Sequence, residues 1–235
     1  MSLTAENNLI HVEGQPRVFN RIKVLAVLMV PLAMAVMAIS SISVALPTIE
    51  HSIGASDASV QWMLSGYALA FGMVLVAAGR IGDALGRGSV WITGMAIFSL
   101  GSLACGLATS PMMLNLARLV QGLGAGVYNP QTTGMIQQYF KGQARAKAFS
   151  IFGLVISASV TAGPLLTGLI IRAAGPDIGW RASFIWTFPL GILGAALATR
   201  WFPFETERRR ARARPAAVSF LLLFLPLFTD KAETV

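Results

Sequence analysis

Six stretches, at about residues 24–47, 60–81, 89–108, 112–136, 146–171 and 182–202, are predominantly apolar for twenty residues or more. That is the length a helix needs to cross a bilayer, and none has the short alternating pattern of a barrel strand. Within hydrocarbon every backbone amide must be satisfied inside the segment, which leaves helices and closed barrels only. The runs therefore predict an all-α integral membrane protein with six transmembrane helices. Composition agrees: 55% of residues are hydrophobic and 12% charged, against about one quarter charged in a soluble domain. The first run is too long for a signal-peptide core and lacks a clear small-residue cleavage site.

Net charge is +8, yet its placement argues against nucleic acid as a partner, because the basic residues lie between apolar runs. Arg17, Arg21, Lys23, Arg80, Arg87, Lys141, Arg145, Lys147, Arg200 and the arginines at 208, 209, 210, 212 and 214 fall on the side of the N-terminus. Only Arg172 and Arg181 fall opposite. Fourteen against two predicts that both termini are cytoplasmic, in a multi-pass protein of the cell (plasma) membrane. Trp62, Trp91, Trp180 and Trp201 stand near predicted span ends, where interface anchoring and core packing are both open. The expected domains are a cytoplasmic segment 1–23, a six-helix unit 24–204, and a basic segment with a short apolar tail at 205–235. That tail is apolar for about 14 residues and contains Pro226; an interfacial segment, an aborted seventh helix and out-of-frame sequence are all open. The arginine run before it suits an anionic leaflet.

The fourth run is the unusual one, because it carries Arg118. At 3.6 residues per turn Arg118, Gln121, Gly122, Ala125, Gly126 and Asn129 share a face, with Leu116, Leu119, Leu123 and Val127 elsewhere. A charge at that depth costs a few kcal/mol, about 10 in less forgiving estimates, unless it meets protein or water. Snorkelling from a helix end is the alternative, but Arg118 lies about two turns in from Pro111, among small and polar neighbours. The glycines at 122, 124 and 126 sit mid-helix without a preceding strand, so they read as close helix packing and not as a nucleotide loop. Ser159, Gly163 and Thr167, spaced four apart beside Pro164, read the same way, with a bend at the proline. In the segment 79–88, Gly82 and Gly86 suit a tight reversal, and Asp83 suits the amides at the start of the third helix.

Catalytic parts are missing. The chain has no HExxH, CxxC or phosphate loop, and its only histidines are His11 and His51, outside the runs. The single Cys105 is an apolar-run packing residue. No enzyme and no metal or organic cofactor is expected.

Taken together, the motifs resemble the major facilitator superfamily, specifically its fourteen-helix drug–proton antiporter (multidrug efflux) branch, over about residues 20–204. Gly79-Arg80-Ile81-Gly82-Asp83-Ala84-Leu85-Gly86-Arg87-Gly88 resembles the family's loop Gly-x-x-x-Asp-Arg/Lys-x-Gly-Arg-Arg/Lys, with Ala84 and Gly88 in place of basic residues. Arg118-Leu119-Val120-Gln121-Gly122-Leu123-Gly124 is similar in full to the fourth-helix pattern Arg-x-x-Gln-Gly-x-Gly. Gly163-Pro164-Leu165-Leu166-Thr167-Gly168 resembles the antiporter pattern Gly-Pro-x-x-Gly-Gly, with Thr167 for one glycine. Val44-Ala45-Leu46-Pro47, Gln61-Trp62 with Tyr67, and Trp180-Arg181 leading to Phe188-Pro189-Leu190-Gly191 look like further branch signatures.

The resemblance implies one six-helix major-facilitator half, a 3+3 inverted-repeat bundle, in a chain truncated relative to the family. It implies transport and coupling roles for Arg118, Gln121 and Gly122, and a cytoplasmic loop lock at Gly79, Asp83, Gly86 and Arg87. An antiporter hinge is implied at Gly163, Pro164 and Gly168. Ser40, Ser43, Tyr67, Tyr128 and Asn129 are cavity candidates. The expected partners are the lipid bilayer, a small amphipathic or organic substrate, and a second transporter half or a second copy of the chain. A proton or ion gradient is the expected driving force. One departure bears on coupling: Ala38 stands where the branch carries a first-helix aspartate, and all ten acidic residues lie in predicted loops or tails. Arginine does not titrate usefully, so this half offers no proton site of its own. The competing reading is a non-transporting truncated remnant, or a membrane partner protein that only associates with other helices.

Overall fold

The computed structural model describes residues 9–10 and 19–202. The basic run at 208–214, the apolar tail and most of segment 1–23 lie outside the described residues, as does His11. A two-residue antiparallel ladder, β1 (Leu9–Ile10) with β2 (Phe19–Asn20), precedes the helices. Asn20 Oδ1 then accepts from the amides of Ile22 and Lys23 and starts α1 (Arg21–Ser40). A single residue, Ser41, separates α1 from α2 (Ile42–Ile53) and keeps helical angles. Pro47, inside α2, cannot donate to the carbonyl four residues back. The first crossing is thus one long, interrupted helix, and Glu50 and His51 belong to it and not to the expected loop.

Next come α3 (Asp57–Leu85), capped by the Ser56 hydroxyl, and α4 (Arg87–Gly106). Ser110 accepts from the amide of Met113 and Pro111 takes the first helical position, where its missing N–H costs nothing; they open α5 (Pro111–Tyr139). α6 (Gly142–Ala174) runs unbroken for 33 residues with Pro164 inside it. The last crossing is divided at Trp186 into α7 (Pro176–Ile185) and α8 (Thr187–Trp201), with Pro189 one turn into α8.

Two expectations change. The reversal at 79–88 contracts to one residue, Gly86, whose φ of 100° lets α3 end and α4 begin without a loop. Asp83 therefore lies in the last turn of α3, where the helix dipole disfavours a carboxylate. Its stabilising partner is Arg87, 2.6 Å away at the start of α4. Gly86→Ala is expected to lower stability by about 1–3 kcal/mol, since only glycine holds that backbone region without strain; thermal unfolding of the detergent-purified protein measures it.

The second change concerns α5. Five helical segments are long and apolar enough to cross a membrane, and α5 is not among them. Asn115, Arg118, Gln121, Asn129, Gln131, Gln137 and Gln138 dilute its hydrophobicity. The helix nevertheless buries about half of its residues, its polar positions 118, 121, 131 and 132 among them. It completes the six crossings as a core helix flanked by α3 and α4.

Packing reveals the repeat that the residues hide. α5, which opens the second triplet of crossings, packs chiefly on α3 and α4 of the first triplet. The first crossing, α1–α2, reciprocates by packing on α6, α7 and α8 of the second, while α4 meets α7 and α8. Each triplet inserts its first helix into the other, and the two first helices run in opposite directions. Lys23 Nζ lies 5.5 Å from the centre of the Trp201 ring, which brings the start of α1 and the end of α8 to one end of the bundle. Trp91 and Trp180 are core residues; Trp62 is exposed, as an interface anchor is.

Candidate functional site

Arg118 is only 1% exposed. Its Nε donates to the carbonyl of Met63 on α3 at 3.1 Å, and Nη1 donates to the carbonyl of Ala38 on α1 at 3.2 Å and to Gln121 Oε1 at 2.7 Å. The Tyr67 ring lies under the guanidinium, 4.4 Å from its centre, and Phe184 flanks it at 6.0 Å. No carboxylate pairs with it among the described residues. Snorkelling is thereby excluded: the charge is met by carbonyl oxygens, one amide oxygen and an aromatic face. Gln121 passes the network on, its Nε2 donating to Ser102 on α4 at 2.6 Å. Arg118 and Gln121 together tie α1, α3, α4 and α5 at one level of the bundle.

That level is fixed by contact between backbones. A Cβ at Gly122 would land on the carbonyl oxygen of Tyr67, and one at Gly126 on that of Phe71, both on α3. A Cβ at Gly124 would meet the amide of Phe98 on α4. The three glycines address alternate flanks and let α5 sit between both neighbours. The packing reading of these residues holds.

A cleft opens beside the network. Ala38, Ser41, Gln121, Thr167, Phe184 and Trp186 form much of its wall. The interruptions at Ser41 and Trp186 both reach it, so two divided crossings converge there. The cavity candidates lie elsewhere. Tyr128 donates to the carbonyl of Pro31 at 2.7 Å in the core, and Ser40 lies in the seam between α1 and α6, within 3.5 Å of the carbonyl of Ser159. Ser43 is exposed, Asn129 is half-buried, and Tyr67 lies behind the wall, against Arg118. Thr167 and Trp186 are wall residues that the sequence does not mark: the four-residue spacing of Thr167 on α6 reads as packing, and the division of the last crossing at Trp186 leaves no signal beyond Pro189.

At the end of α3 the residues of the motif 79–88 do gather. Arg87 pairs with Asp83 through Nη2 and donates to the carbonyl of Pro130 on α5 through Nη1, at 3.3 Å. Gly134 leaves the space the guanidinium occupies. Gly79 and Arg80 line the same shallow recess as Asp83 and Arg87. Pro130 and Gly134 complete this corner, one helical turn apart in α5; their spacing within a glycine-rich run gave no separate sign. On α6, Ser159, Gly163 and Thr167 are buried as the spacing predicts. Gly163 abuts the Ser40 and Ser41 hydroxyls at the interruption of the first crossing, whereas Gly168 makes only ordinary contact with Val44. Arg181, in the Trp-Arg pair, donates to the carbonyls of Gly106 and Ala108 and closes the far end of α4.

The family model of the Major Facilitator Superfamily matches residues 28–232. The chain belongs to this superfamily. The match runs past the last described residue and takes in the arginine run and most of the apolar tail. Among curated relatives, the probable actinorhodin transporter of Streptomyces coelicolor is 37% identical over 158 residues, covering 66% of this chain and 27% of that protein. The methylenomycin A resistance protein of the same organism is 31% identical over 200 residues, covering 81% and 41%. The multidrug resistance protein Stp of Mycobacterium tuberculosis is 32% identical over 185 residues, covering 78% and 33%. The chain thus spans between about a quarter and two fifths of the length of these relatives. A bacterial homologue of the human lysosomal transporter Spinster, solved in an inward-facing, occupied conformation, shares the fold with a TM-score of 0.67. At 23% identity that match covers 78% of this chain and 44% of the other, as one superfamily half does.

Proposed function

We propose that this superfamily member acts as the N-terminal half of an exporter of small amphipathic compounds in the plasma membrane, both termini facing the cytoplasm. The observation that carries the reading is the buried Arg118–Gln121–Ser102 network beside a cleft where two divided helices converge. Interrupted helices at the substrate level are a recurring device of secondary transporters. The relatives' names point to the export of antibiotics and drugs. In this reading residues 24–204 are the transport unit, Arg118, Gln121 and Gly122 organise the substrate level, and Asp83, Arg87, Gly79 and Gly86 lock one end. Gly163, Pro164 and Gly168 allow α6 to bend against the first crossing. A second six-helix half, from the same longer protein or from a second copy, completes the cavity. The acidic groups among the described residues, Glu50, Asp57, Asp83 and Asp177, all lie near helix ends, so none of these four is a mid-span proton carrier.

Reconstitution decides the matter. Proteoliposomes holding the full chain with its second half are expected to move an amphipathic fluorescent dye faster when a pH gradient is imposed. Equal rates with and without the gradient would remove the antiporter assignment, and no movement in either case would remove the transport reading.

A further inference from the structure

We propose that the cleft beside Gln121 binds organic anions, a carboxylate being the simplest, with Arg118 as the fixed counter-charge. The proposal rests on the transport reading for the site's purpose, but its evidence is the cleft's own chemistry. A buried guanidinium without a carboxylate is a net positive charge in a medium of low dielectric, and carbonyl dipoles only partly offset it. Nε and Nη1 make the three hydrogen bonds already described, and Nη2 has no hydrogen-bond partner among the described residues. The Tyr67 hydroxyl, buried against the same guanidinium, is also unpartnered.

Arg118 lies behind the cleft and does not line it; Ala38, Gln121 and Phe184, which touch its guanidinium, do, and hydrogen-bond donors are set into that otherwise largely apolar wall. Gln121 spends its oxygen on Arg118 and turns its amide nitrogen to Ser102, leaving its second N–H uncommitted. The hydroxyls of Ser41 and Thr167 and the indole N–H of Trp186 also carry no hydrogen bond among the described residues. Trp186 Nε1 can only donate. No acidic residue lines the cleft. Ala38, whose own carbonyl accepts from Arg118, keeps the approach open where a longer side chain would fill it. A cationic ligand would face an uncompensated like charge, whereas an anion gains the guanidinium field and up to four neutral donors.

Trp186 supplies the readout. The purified full chain in nanodiscs of neutral lipid is titrated with benzoate, benzamide and benzylamine, and tryptophan fluorescence is followed. Benzoate is expected to quench saturably, and to bind about tenfold more tightly than neutral benzamide, the value of one charge-assisted hydrogen bond; benzylamine is expected not to bind. Ala38→Asp places a carboxylate beside the guanidinium and should abolish benzoate quenching while leaving the helical circular dichroism unchanged. Benzamide or benzylamine binding as tightly as benzoate would overturn the proposal, and so would undiminished benzoate affinity in a folded Ala38→Asp variant. Should that variant misfold, the wild-type comparison of the three probes still decides. Dye export without benzoate selectivity would fell the anion assignment alone; benzoate selectivity without export would fell the transport reading alone.

Discussion

Arg118→Ala is expected to leave the protein inserted and folded as a membrane bundle, and to reduce transport to the level of empty liposomes. Insertion improves if it changes at all, since an arginine at mid-span opposes it by about 2.5–3.5 kcal/mol. Function suffers because one side chain ties the Met63 carbonyl, the Ala38 carbonyl and Gln121 at a single level. Without it Gln121 Oε1 accepts only from the Cys105 thiol at 3.9 Å, a weak contact, and the side chain is freer to turn away from Ser102. Arg118→Lys tests the geometry separately from the charge. An ammonium lacks the planar fork that reaches α1, α3 and α5 together, so most transport should be lost there too. Protease protection of vesicles reports insertion, and dye efflux reports activity. Unchanged efflux in Arg118→Ala would reduce the guanidinium to a packing element.

Gly124→Val is expected to give the largest loss of stability of any single change in the bundle. Its Cβ would fall on the amide of Phe98, with the Phe98 Cα at 2.6 Å and the Gly94 carbonyl oxygen at 2.8 Å. All three are backbone atoms, which no rotamer change can move aside. Overpacking of this kind costs about 1–3 kcal/mol where side chains can yield; here α4 and α5 must part, and little folded protein should be recovered from detergent. Gly153→Val is the control, because nothing lies within 4 Å of that position. A yield and unfolding midpoint for Gly124→Val equal to those of Gly153→Val would refute the close approach.

The crossings and the buried face of α5 were legible because apolar length and helical period speak directly about burial. Arg118, Gln121, Gly122, Ala125 and Gly126 are all buried, and Leu116 and Leu123 are exposed, as the spacing requires. The motif at 79–88 picked out residues that gather at one corner of the bundle but implied the wrong local structure: a single glycine at φ 100° does the work of a loop, and propensity cannot distinguish the two. The interruptions at Ser41 and Trp186 were beyond reach, since both residues keep helical angles and the prolines that accompany them lie several residues further on. The reciprocal insertion of the two triplets was equally hidden. It arises from which helix lies between which pair, and no residue-by-residue similarity between the triplets is needed for that.

The alternating glycines of α5 also apportion mechanical compliance. α3, α4 and α5 touch through backbone atoms at positions 122, 124 and 126, so shear between them meets stiff covalent geometry and not pliable side chains. α5 also holds a proline, Pro130, but one turn past the glycine contacts; α1–α2, α6 and α7–α8 each hold a proline or an interruption away from those contacts and yield more readily. A torque delivered by a partner half would thus be taken up at Ser41 and Trp186, in the wall of the cleft, and at Pro164, about one turn from the wall residue Thr167, while the spacing of Arg118, Gln121 and Ser102 stays constant. Amide exchange should divide along the same line, slowest through residues 118–126 and fastest around the two interruptions. On the proposed transport reading, the charge is mounted on the stationary part of the bundle, and what changes during a cycle is its access to ligand.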